Sequence, residues 1–382
     1  MILTMLNRVT HRIAVVGAGM AGATCARALR EAGFAVHVFD KSRGPGGRLA
    51  TRRLEWSDPQ GRAQTARLDH GALGLAAHSG EFQAFIDEGL RAGVLATWAP
   101  TLAPGSVAST VGEQLQVPVP DLPALCRRLL DGVAATWSTT IDGLHRSARG
   151  WQLHADGEQL APDFDAVVLA LPPAQSAPLI RPHRSDWAQQ AAAVPMQPCW
   201  TLMGVTDAPE AMPAWDLARP SHGPLACVMR NDARPGRVRL PGLAQWVAHA
   251  RSDWSRQNLE QPAAWVQQQL QAALADCLGH PLAWQHCVVH RWRYALPPAP
   301  LSRPASAFWW DFDLGLGACG DFLGGAGLEG AWCSARSLAA AMLSPAAGAR
   351  RSATRPPSQG EGGIERRGGV DLIAPASSEV SR

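Results

Sequence analysis

The sequence has little charge and almost no lysine. Lys41 is the single lysine among 382 residues, and charged residues make up 18% of the chain. The 35 basic and 32 acidic side chains leave a formal net charge of +3. A protein that mainly binds nucleic acid or an anionic membrane carries a concentrated basic excess. The composition therefore argues against those two partners and favours a small-molecule substrate.

Paired cysteines and long apolar runs are also missing. The eight cysteines contain no CxxC pair and lie at no zinc-finger spacing with histidine. Disulfide frameworks are typical of small secreted chains, whereas this chain is long enough for two domains or one large domain with insertions. No apolar run approaches the ~20 residues of a membrane span, and residues 1–12 lack the apolar stretch of a signal peptide. We therefore predict a cytoplasmic protein without a bound metal; the sequence does not indicate its oligomeric state.

What is present is a strand, a glycine turn, a helix and a second strand near the beginning of the chain. The first strand, Arg12–Val16, leads into GAGMAG at residues 17–22, and helix-forming residues continue to Ala32. The second strand, Ala35–Phe39, ends at Asp40, about 18 residues beyond the turn. This order is the full context of a dinucleotide-binding GxGxxG turn.

Each part of this unit has a physical role in binding a dinucleotide. The first glycine permits the tight turn, the second lets the backbone approach a pyrophosphate, and the third lets the helix pack closely on the strand. The backbone N–H groups at the positive end of the helix face the phosphates, and the acid accepts hydrogen bonds from a ribose. The cofactor-binding residues predicted here are Gly17, Gly19, Met20, Ala21, Gly22 and Asp40. This turn alone does not distinguish NAD from FAD.

A basic, glycine-rich segment follows the second strand. It begins at Lys41 and contains Gly46, Gly47 and Arg48. Flexible glycines let the main chain pass near a dinucleotide, and an arginine beside a pyrophosphate makes a charge-assisted contact. We therefore add Lys41 and Arg48 to the predicted cofactor site.

A second glycine turn lies near the other end of the chain. A strand at Gly315–Cys319 precedes GDFLGGAGLEGA at residues 320–331, and a helix extends from about Glu329 to Met342. The N-terminus of this helix could place backbone donors near a bound ring system. Elsewhere, Asp121–Asp131 has a helical apolar pattern with Asp121 as the expected N-cap, and Phe164–Leu171 indicates a buried strand.

With these motifs in hand, the sequence resembles the renalase-type branch of the amine-oxidase-like FAD oxidoreductases. The segments that carry the resemblance are spread over most of the chain. They are VVGAGMAGATCARALREAGFAVHVFDKSRGPGGRLATRR (15–53), LDHGA (68–72), ARSDWS (250–255), HRWRYALP (290–297) and GDFLGGAGLEGAW (320–332). The first segment is shared with many flavoproteins, and its basic run combined with HRWRYA is more selective.

The resemblance implies an α/β fold in which a Rossmann-type FAD-binding domain is joined to a second, substrate domain built on an antiparallel sheet. The FAD-binding domain is assigned to residues 11–75, 118–172 and 286–344. The substrate domain is assigned to residues 76–117 and 173–285. Residues 345–382 lack periodicity and are predicted to be a disordered tail.

The resemblance also implies further site residues. His70, Gly71, Asp321 and Leu328 join the cofactor site, with Asp321 on the ribityl hydroxyls. Ala72, Trp292 and Tyr294 are the predicted substrate contacts. Relatives commonly carry glutamine and aromatic residues after HGA, where this chain has Leu73, Gly74 and Leu75. The sequence leaves open whether that altered segment changes specificity.

These features predict an FAD-dependent oxidase that takes a hydride from a small reduced substrate to flavin N5 and is reoxidised by O₂ to give hydrogen peroxide. The resemblance suggests dihydronicotinamide isomers as substrates. The flavin itself carries the chemistry, so no catalytic side chain is assigned. The alternatives are a flavin amine oxidase or desaturase, a non-catalytic flavin- or nucleotide-binding protein, and an NAD-dependent dehydrogenase.

Overall fold

A computed structural model describes residues 11–107, 114–209, 212–297, 306–325 and 327–344. The strands are β1 (Arg12–Val16), β2 (Ala35–Phe39), β3 (Thr51–Ser57), β4 (Ala63–Asp69), β5 (Leu95–Trp98), β6 (Leu115–Pro118), β7 (Ala134–Thr136), β8 (Gly143–Ser147), β9 (Gly150–Ala155), β10 (Glu158–Phe164), β11 (Ala166–Leu169), β12 (Gln197–Asp207), β13 (Leu217–Ala218), β14 (Leu225–Arg230), β15 (Leu243–Ala250), β16 (Trp284–Leu296), β17 (Trp309–Asp311) and β18 (Leu316–Ala318). The helices are α1 (Met20–Glu31), α2 (Gly80–Arg91), α3 (Ala124–Leu129), α4 (Pro173–Ile180), α5 (Ser185–Ala192), α6 (Ser252–Gln257), α7 (Ala263–Leu278), α8 (Asp321–Gly324) and α9 (Gly327–Leu343). The predicted tail lies outside the described residues.

A six-stranded sheet of order β17-β18-β11-β1-β2-β7 forms the first layer of the fold. Its central pairs, β18–β11, β11–β1, β1–β2 and β2–β7, are parallel, and β17 is antiparallel at one edge. Helix α1 crosses from β1 to β2 and ends before Gly33, whose φ of +93° suits glycine. The strands are almost continuously apolar, as expected for a parallel sheet covered on both faces. This sheet is Rossmann-type.

A five-stranded antiparallel sheet of order β13-β14-β15-β12-β16 forms the second layer. One of its faces is covered by α7, which buries Val266, Leu270 and Leu274 at four-residue spacing. The other face packs its apolar residues against Leu54 and Leu68 of the β3–β4 hairpin. The combination of a Rossmann-type sheet with this antiparallel sheet confirms the predicted fold class.

One local prediction differs from the structure, and one predicted domain boundary falls inside a strand. Asp121 does not cap a helix, because α3 begins only at Ala124 with Pro123 as its N-cap residue. The Asp121 carboxylate instead pairs with Arg127 and Arg67, at 2.5 and 2.9 Å. The predicted domain boundary at residue 286 falls inside β16, which pairs with β12 along its length. That strand therefore joins the antiparallel sheet rather than the Rossmann-type sheet.

Helix α2 packs on the core cluster around α1. It lies in 76–117, which the sequence assigns to the substrate domain, yet Phe82 and Ile86 are buried in the core cluster around α1. Phe82 further contacts Trp332 of α9 with ring centroids 5.5 Å apart. The rest of the proposed division stays a prediction. Among the described helices, none combines the length and the apolar character needed to cross a lipid bilayer.

Candidate cofactor and substrate site

The first glycine turn connects β1 to α1 at the carboxyl edge of the Rossmann-type sheet. Gly17 has a φ of +106°, and its N–H donates to the Phe39 carbonyl at 2.8 Å. A Cβ on Gly22 would overlap the Gly17 carbonyl oxygen, so this position requires glycine. Gly19, in contrast, has ordinary extended backbone and is half-buried. The first turn of α1, which includes Met20 and Ala21, has no acidic residue and no side-chain cap.

Asp40 braces this turn from the end of β2. Its Oδ2 accepts a hydrogen bond from the Ala18 N–H at 2.6 Å, and its Oδ1 accepts one from the Ser42 N–H at 2.7 Å. Each carboxylate oxygen has a second lone pair, so these bonds leave acceptor capacity for a ribose hydroxyl. Lys41, the next residue, is exposed and makes no side-chain hydrogen bond within the described structure.

The GGR segment, residues 46–48, lies directly against the first glycine turn. The Gly46 N–H donates to the Ala18 carbonyl at 2.9 Å. Gly47, at φ +55°, brings its backbone so close to Gly19 that a Cβ would stand 3.0 Å from the Gly19 Cα. The sequence-predicted glycines therefore form one contiguous backbone surface. Arg48 extends from its end.

Arg48 joins the two glycine turns. Its Nη1 and Nη2 donate to Oδ2 and Oδ1 of Asp321, each at 2.7 Å, and its Nη1 also donates to the Ala295 carbonyl at 2.9 Å. The Asp321 side chain is 3% exposed. Two parallel N–H···O bonds of this kind fix both the position and the plane of the carboxylate.

The second turn leads into α9 beside α2. Leu328 is half-buried and packs on the core cluster around α1. Glu329, in the first turn of α9, accepts hydrogen bonds from the His78 N–H at 2.7 Å and from the Ser79 hydroxyl at 2.5 Å. These bonds, with burial opposing them, lower the pKa of Glu329. This end of α9 therefore carries a negative charge that the sequence analysis did not include.

The HGA segment is held against the GGR segment by backbone bonds. The His70 N–H donates to the Ala50 carbonyl at 3.1 Å, and the Ala72 N–H donates to the Arg48 carbonyl at 2.9 Å. A Cβ on Gly71 would overlap the Arg48 carbonyl oxygen, which explains glycine there. Two of the predicted cofactor residues, His70 and Gly71, and the predicted substrate residue Ala72 thus lie next to Arg48.

His70 is surrounded by aromatic rings from β16. Trp292 stacks on it with centroids 5.2 Å apart and donates from Nε1 to the His70 carbonyl at 3.1 Å. His290 meets both rings edge-on, at 4.9 Å from His70 and 4.4 Å from Trp292. Tyr294 is half-buried two residues further along the same strand.

Burial favours the neutral form of these imidazoles. Burial is the largest cause that lowers the pKa of His70 to about 3, and the neighbouring His290 and His249 add to it. Burial likewise lowers the pKa of His249 to about 4 and lowers that of His290. Within the described residues, Nδ1 of His70 and Nε2 of His249 are buried without a hydrogen-bond partner. The region therefore holds two buried ring nitrogens that no described residue satisfies.

Sequence analysis missed a buried ion cluster beside His70. Asp69 is fully buried, contacts Arg234 at 3.2 Å, and accepts a hydrogen bond from Arg237 Nε at 2.7 Å. The Asp69 N–H donates to the Asn231 amide oxygen at 2.9 Å. Arg234 also donates to the Leu73 carbonyl at 2.8 Å, so the altered Leu73–Leu75 segment is tied to this cluster. No sequence spacing links residues more than 160 positions apart, and only the fold brings them together.

Comparisons with known proteins agree with this architecture. A family model described as an NAD(P)-binding Rossmann-like domain matches residues 15–88, which hold the first glycine turn, Asp40, Arg48 and HGA. The chain therefore contains a Rossmann-like NAD(P)-binding domain. This match covers the start of the described structure and leaves the antiparallel sheet unassigned.

One curated relative is similar in sequence to part of this chain. The tRNA 5-methylaminomethyl-2-thiouridine biosynthesis bifunctional protein MnmC of Magnetococcus marinus is 31% identical over 208 residues. The alignment covers 45% of this chain and 31% of that protein. The aligned part of this chain thus spans about a third of the length of that relative.

Solved structures show similarity of fold over nearly the whole described chain. A candidate protoporphyrinogen oxidase from Exiguobacterium sp. 255-15 superposes with a TM-score of 0.66 at 12% identity, covering 87% of this chain and 98% of that one. Cyclohexylamine oxidase from Brevibacterium oxydans IH-35A gives a TM-score of 0.59 at 13% identity, covering 89% and 100%. The chain therefore shares the fold of these two proteins.

Proposed function

We propose that the protein is an FAD-dependent oxidoreductase. The observation that carries this proposal is the Arg48–Asp321 pair, which ties the GxGxxG–GGR surface to the second glycine turn. The GxGxxG turn by itself suits a nicotinamide dinucleotide as well. The resemblance implies that a flavin dinucleotide contacts both turns. The similarity of fold to two oxidases supports the same conclusion.

The residues present fit such a cofactor. The uncapped first turn of α1 offers Gly19, Met20 and Ala21 N–H groups to a diphosphate, and Asp40 keeps lone pairs for a ribose. Arg48 would hold the pyrophosphate side, and Lys41 would add positive charge at the rim. His70, Gly71, Asp321 and Leu328 would border the remaining part of the cofactor, as the resemblance implies.

A flavin bound there would supply the redox chemistry, a two-electron oxidation of the reduced substrate with O₂ as the final acceptor and hydrogen peroxide as the product. The chain itself binds and orients. Neutral His70 and His290, with the Trp292 ring, provide a surface against which a flat substrate can stack. Ala72 and Tyr294 complete the proposed substrate contacts. Dihydronicotinamide isomers are the substrates that we propose, following the renalase-type resemblance.

The absorbance spectrum of the purified protein, followed by anaerobic mixing with dihydronicotinamide isomers, tests this function. We expect one bound flavin per chain, bleaching on mixing, and hydrogen peroxide on admission of O₂. A colourless protein that binds NAD would instead identify a nicotinamide-dependent dehydrogenase. A flavin that stays oxidised with every candidate would identify a non-catalytic binding protein.

Amine oxidation is the second candidate, and the similarity of fold to cyclohexylamine oxidase favours it. The same flavin can oxidise a C–N bond, and neutral histidines suit an uncharged amine because they do not repel a developing positive charge. A panel of primary and secondary amines in the same peroxide assay separates the two. Turnover of amines with none of the dihydronicotinamides would favour this candidate over the first.

A further inference from the structure

A row of polar residues crosses the face of the antiparallel sheet that is turned toward β3 and β4. Strand register places four of them side by side, one from each of four adjacent strands. They are Cys227 of β14, His249 of β15, Thr201 of β12 and His290 of β16. Residues paired across neighbouring strands project from the same face of a sheet. The adjoining row on that face is apolar and consists of Leu217, Met229, Val247, Met203 and Val288.

Arg219 extends this polar row at the outer edge of the sheet. Ala218 of β13 pairs with Val228, so the next residue, Arg219, lies beside Cys227. The charge of Arg219 opposes the effect of burial on the pKa of Cys227, as does the charge of Arg234. Both guanidinium groups therefore act electrostatically on the same thiol, although they lie in different parts of the chain.

Three buried N–H donors near this end of the row have no acceptor among the described residues. They are Nη1 of Arg219, Nε of Arg234 and Nε1 of Trp98. Trp98 and Arg234 are 3% and 2% exposed, and the Arg234 Cζ stands 5.1 Å from the centroid of the Trp98 ring. Arginine and tryptophan side chains are donors only. Whatever satisfies them must be an acceptor, because leaving a buried donor without a partner is unfavourable.

The charge of the cluster points to an anion rather than a neutral acceptor. The Asp69 carboxylate is shared between Arg234 and Arg237, so one negative charge faces two positive charges. Arg219 makes no ion pair within the described parts of the chain and adds a further positive charge. A buried excess of positive charge is stabilised by a bound anion.

We propose that Arg219, the Arg234 Nε, the Trp98 N–H and His249 form a subsite for the carboxylate of a small organic anion. Through the polar row this subsite continues to His290 and His70. That the anion is a part of the oxidised substrate rests on the proposed function; the subsite itself does not. The substrate would then present its carboxylate at the Cys227 end and its reacting part at the His70 end.

The test is calorimetric titration of the full-length protein with benzoate and with benzamide, which have the same shape and differ in charge. We expect benzoate to bind at least tenfold more tightly than benzamide. Arg219→Gln should weaken benzoate binding tenfold or more, and Arg219→Lys should retain part of it. Arg53→Gln is the matched control, because Arg53 is exposed on β3 and pairs at the surface with Glu55. Trp98→Phe removes the N–H and should also weaken benzoate binding.

Several results would overturn the subsite: no benzoate binding, equal binding of benzoate and benzamide, unchanged affinity in both Arg219→Gln and Trp98→Phe, or tighter binding of inorganic phosphate than of benzoate. The spectrum of the same sample reports separately on the cofactor. Benzoate binding without flavin would support the subsite and contradict the proposed function. A flavin-loaded protein that does not bind benzoate would contradict the subsite and support the proposed function.

Discussion

Arg48 and Asp321 lie 273 positions apart in the sequence and form a two-bond ion pair across the two glycine turns. Each residue belongs to a motif that sequence analysis assigned to cofactor binding. Their pairing means that the two halves of the proposed site are built as one unit. A substitution of either residue should therefore disturb the turn to which the other residue belongs.

The first prediction concerns that pair. Arg48→Ala and Asp321→Asn should each lower the free energy of unfolding by about 1–3 kcal/mol, because a carboxylate that is 3% exposed loses its partner or a guanidinium loses its acceptor. The double variant should lose less than the sum of the two. Urea unfolding of the four proteins measures the coupling, and flavin content measures retention. Strictly additive losses would mean that the pair does not act as a unit.

The second prediction separates folding from phosphate approach in the first turn. Gly19→Ala should fold, since its Cβ would stand 3.7 Å from the Gly47 Cα, and the cost at an N-cap is below about 1 kcal/mol. It should nevertheless lose most of its bound flavin, because the methyl group occupies the space that a phosphate needs. Gly22→Ala should instead be destabilised, by at least about 2 kcal/mol, through overlap with Gly17.

Gly80→Ala is the control for these glycine variants, because its Cβ would meet nothing within 4 Å. It should keep both stability and flavin. Full flavin content in a folded Gly19→Ala protein would show that the first turn does not receive the phosphates.

The third prediction is a loss of stability in mild acid. Burial lowers the pKa of His70 to about 3, below the ordinary value of 6.5, so the folded state binds fewer protons than the unfolded state. Stability should therefore fall as pH drops below about 6.5. Between pH 7 and pH 5 this histidine should account for about 2 kcal/mol. Unfolding of His70→Gln at the two pH values should show a correspondingly smaller loss, while a variant of the exposed His222 should behave like the unaltered protein.

The fourth prediction concerns the buried ion cluster. Asp69→Asn should destabilise the fold by about 3–5 kcal/mol, because it leaves Arg234 and Arg237 buried without a counter-charge. Glu55→Gln, which removes an exposed acid from the same hairpin, should cost less than about 1 kcal/mol. Chemical denaturation of both variants makes the comparison. Equal, small losses of stability in the two variants would indicate that Asp69 contributes little to the stability of the fold.

Local patterns predicted the Rossmann-type part of the fold closely. The strands Arg12–Val16 and Ala35–Phe39 match β1 and β2 at both ends, since a glycine turn and a helix stop bound them on the chain itself. The predicted start of α3 was wrong. The Asp121 carboxylate, which the sequence suggests as a helix cap, pairs instead with Arg127 and with the distant Arg67. Competition of this kind depends on tertiary contacts.

The candidate site likewise contains some residues that the sequence identifies and others that it does not. Gly17, Asp40, Arg48 and Asp321 carry their own motifs and were found from the sequence. Arg234, Arg237, Trp98 and Arg219 have no motif, and only their burial and the charges that the fold brings together mark them as candidates. The role of each predicted site residue toward a ligand stays a prediction until a ligand is bound.

The absorbance spectrum of the protein as purified, with identification of the released chromophore by mass, tests the central claim most directly. The account predicts the bands of an oxidised flavin and one molecule of FAD per chain, lost in Gly19→Ala and kept in Gly80→Ala. A folded, colourless protein that neither retains nor takes up FAD would contradict it.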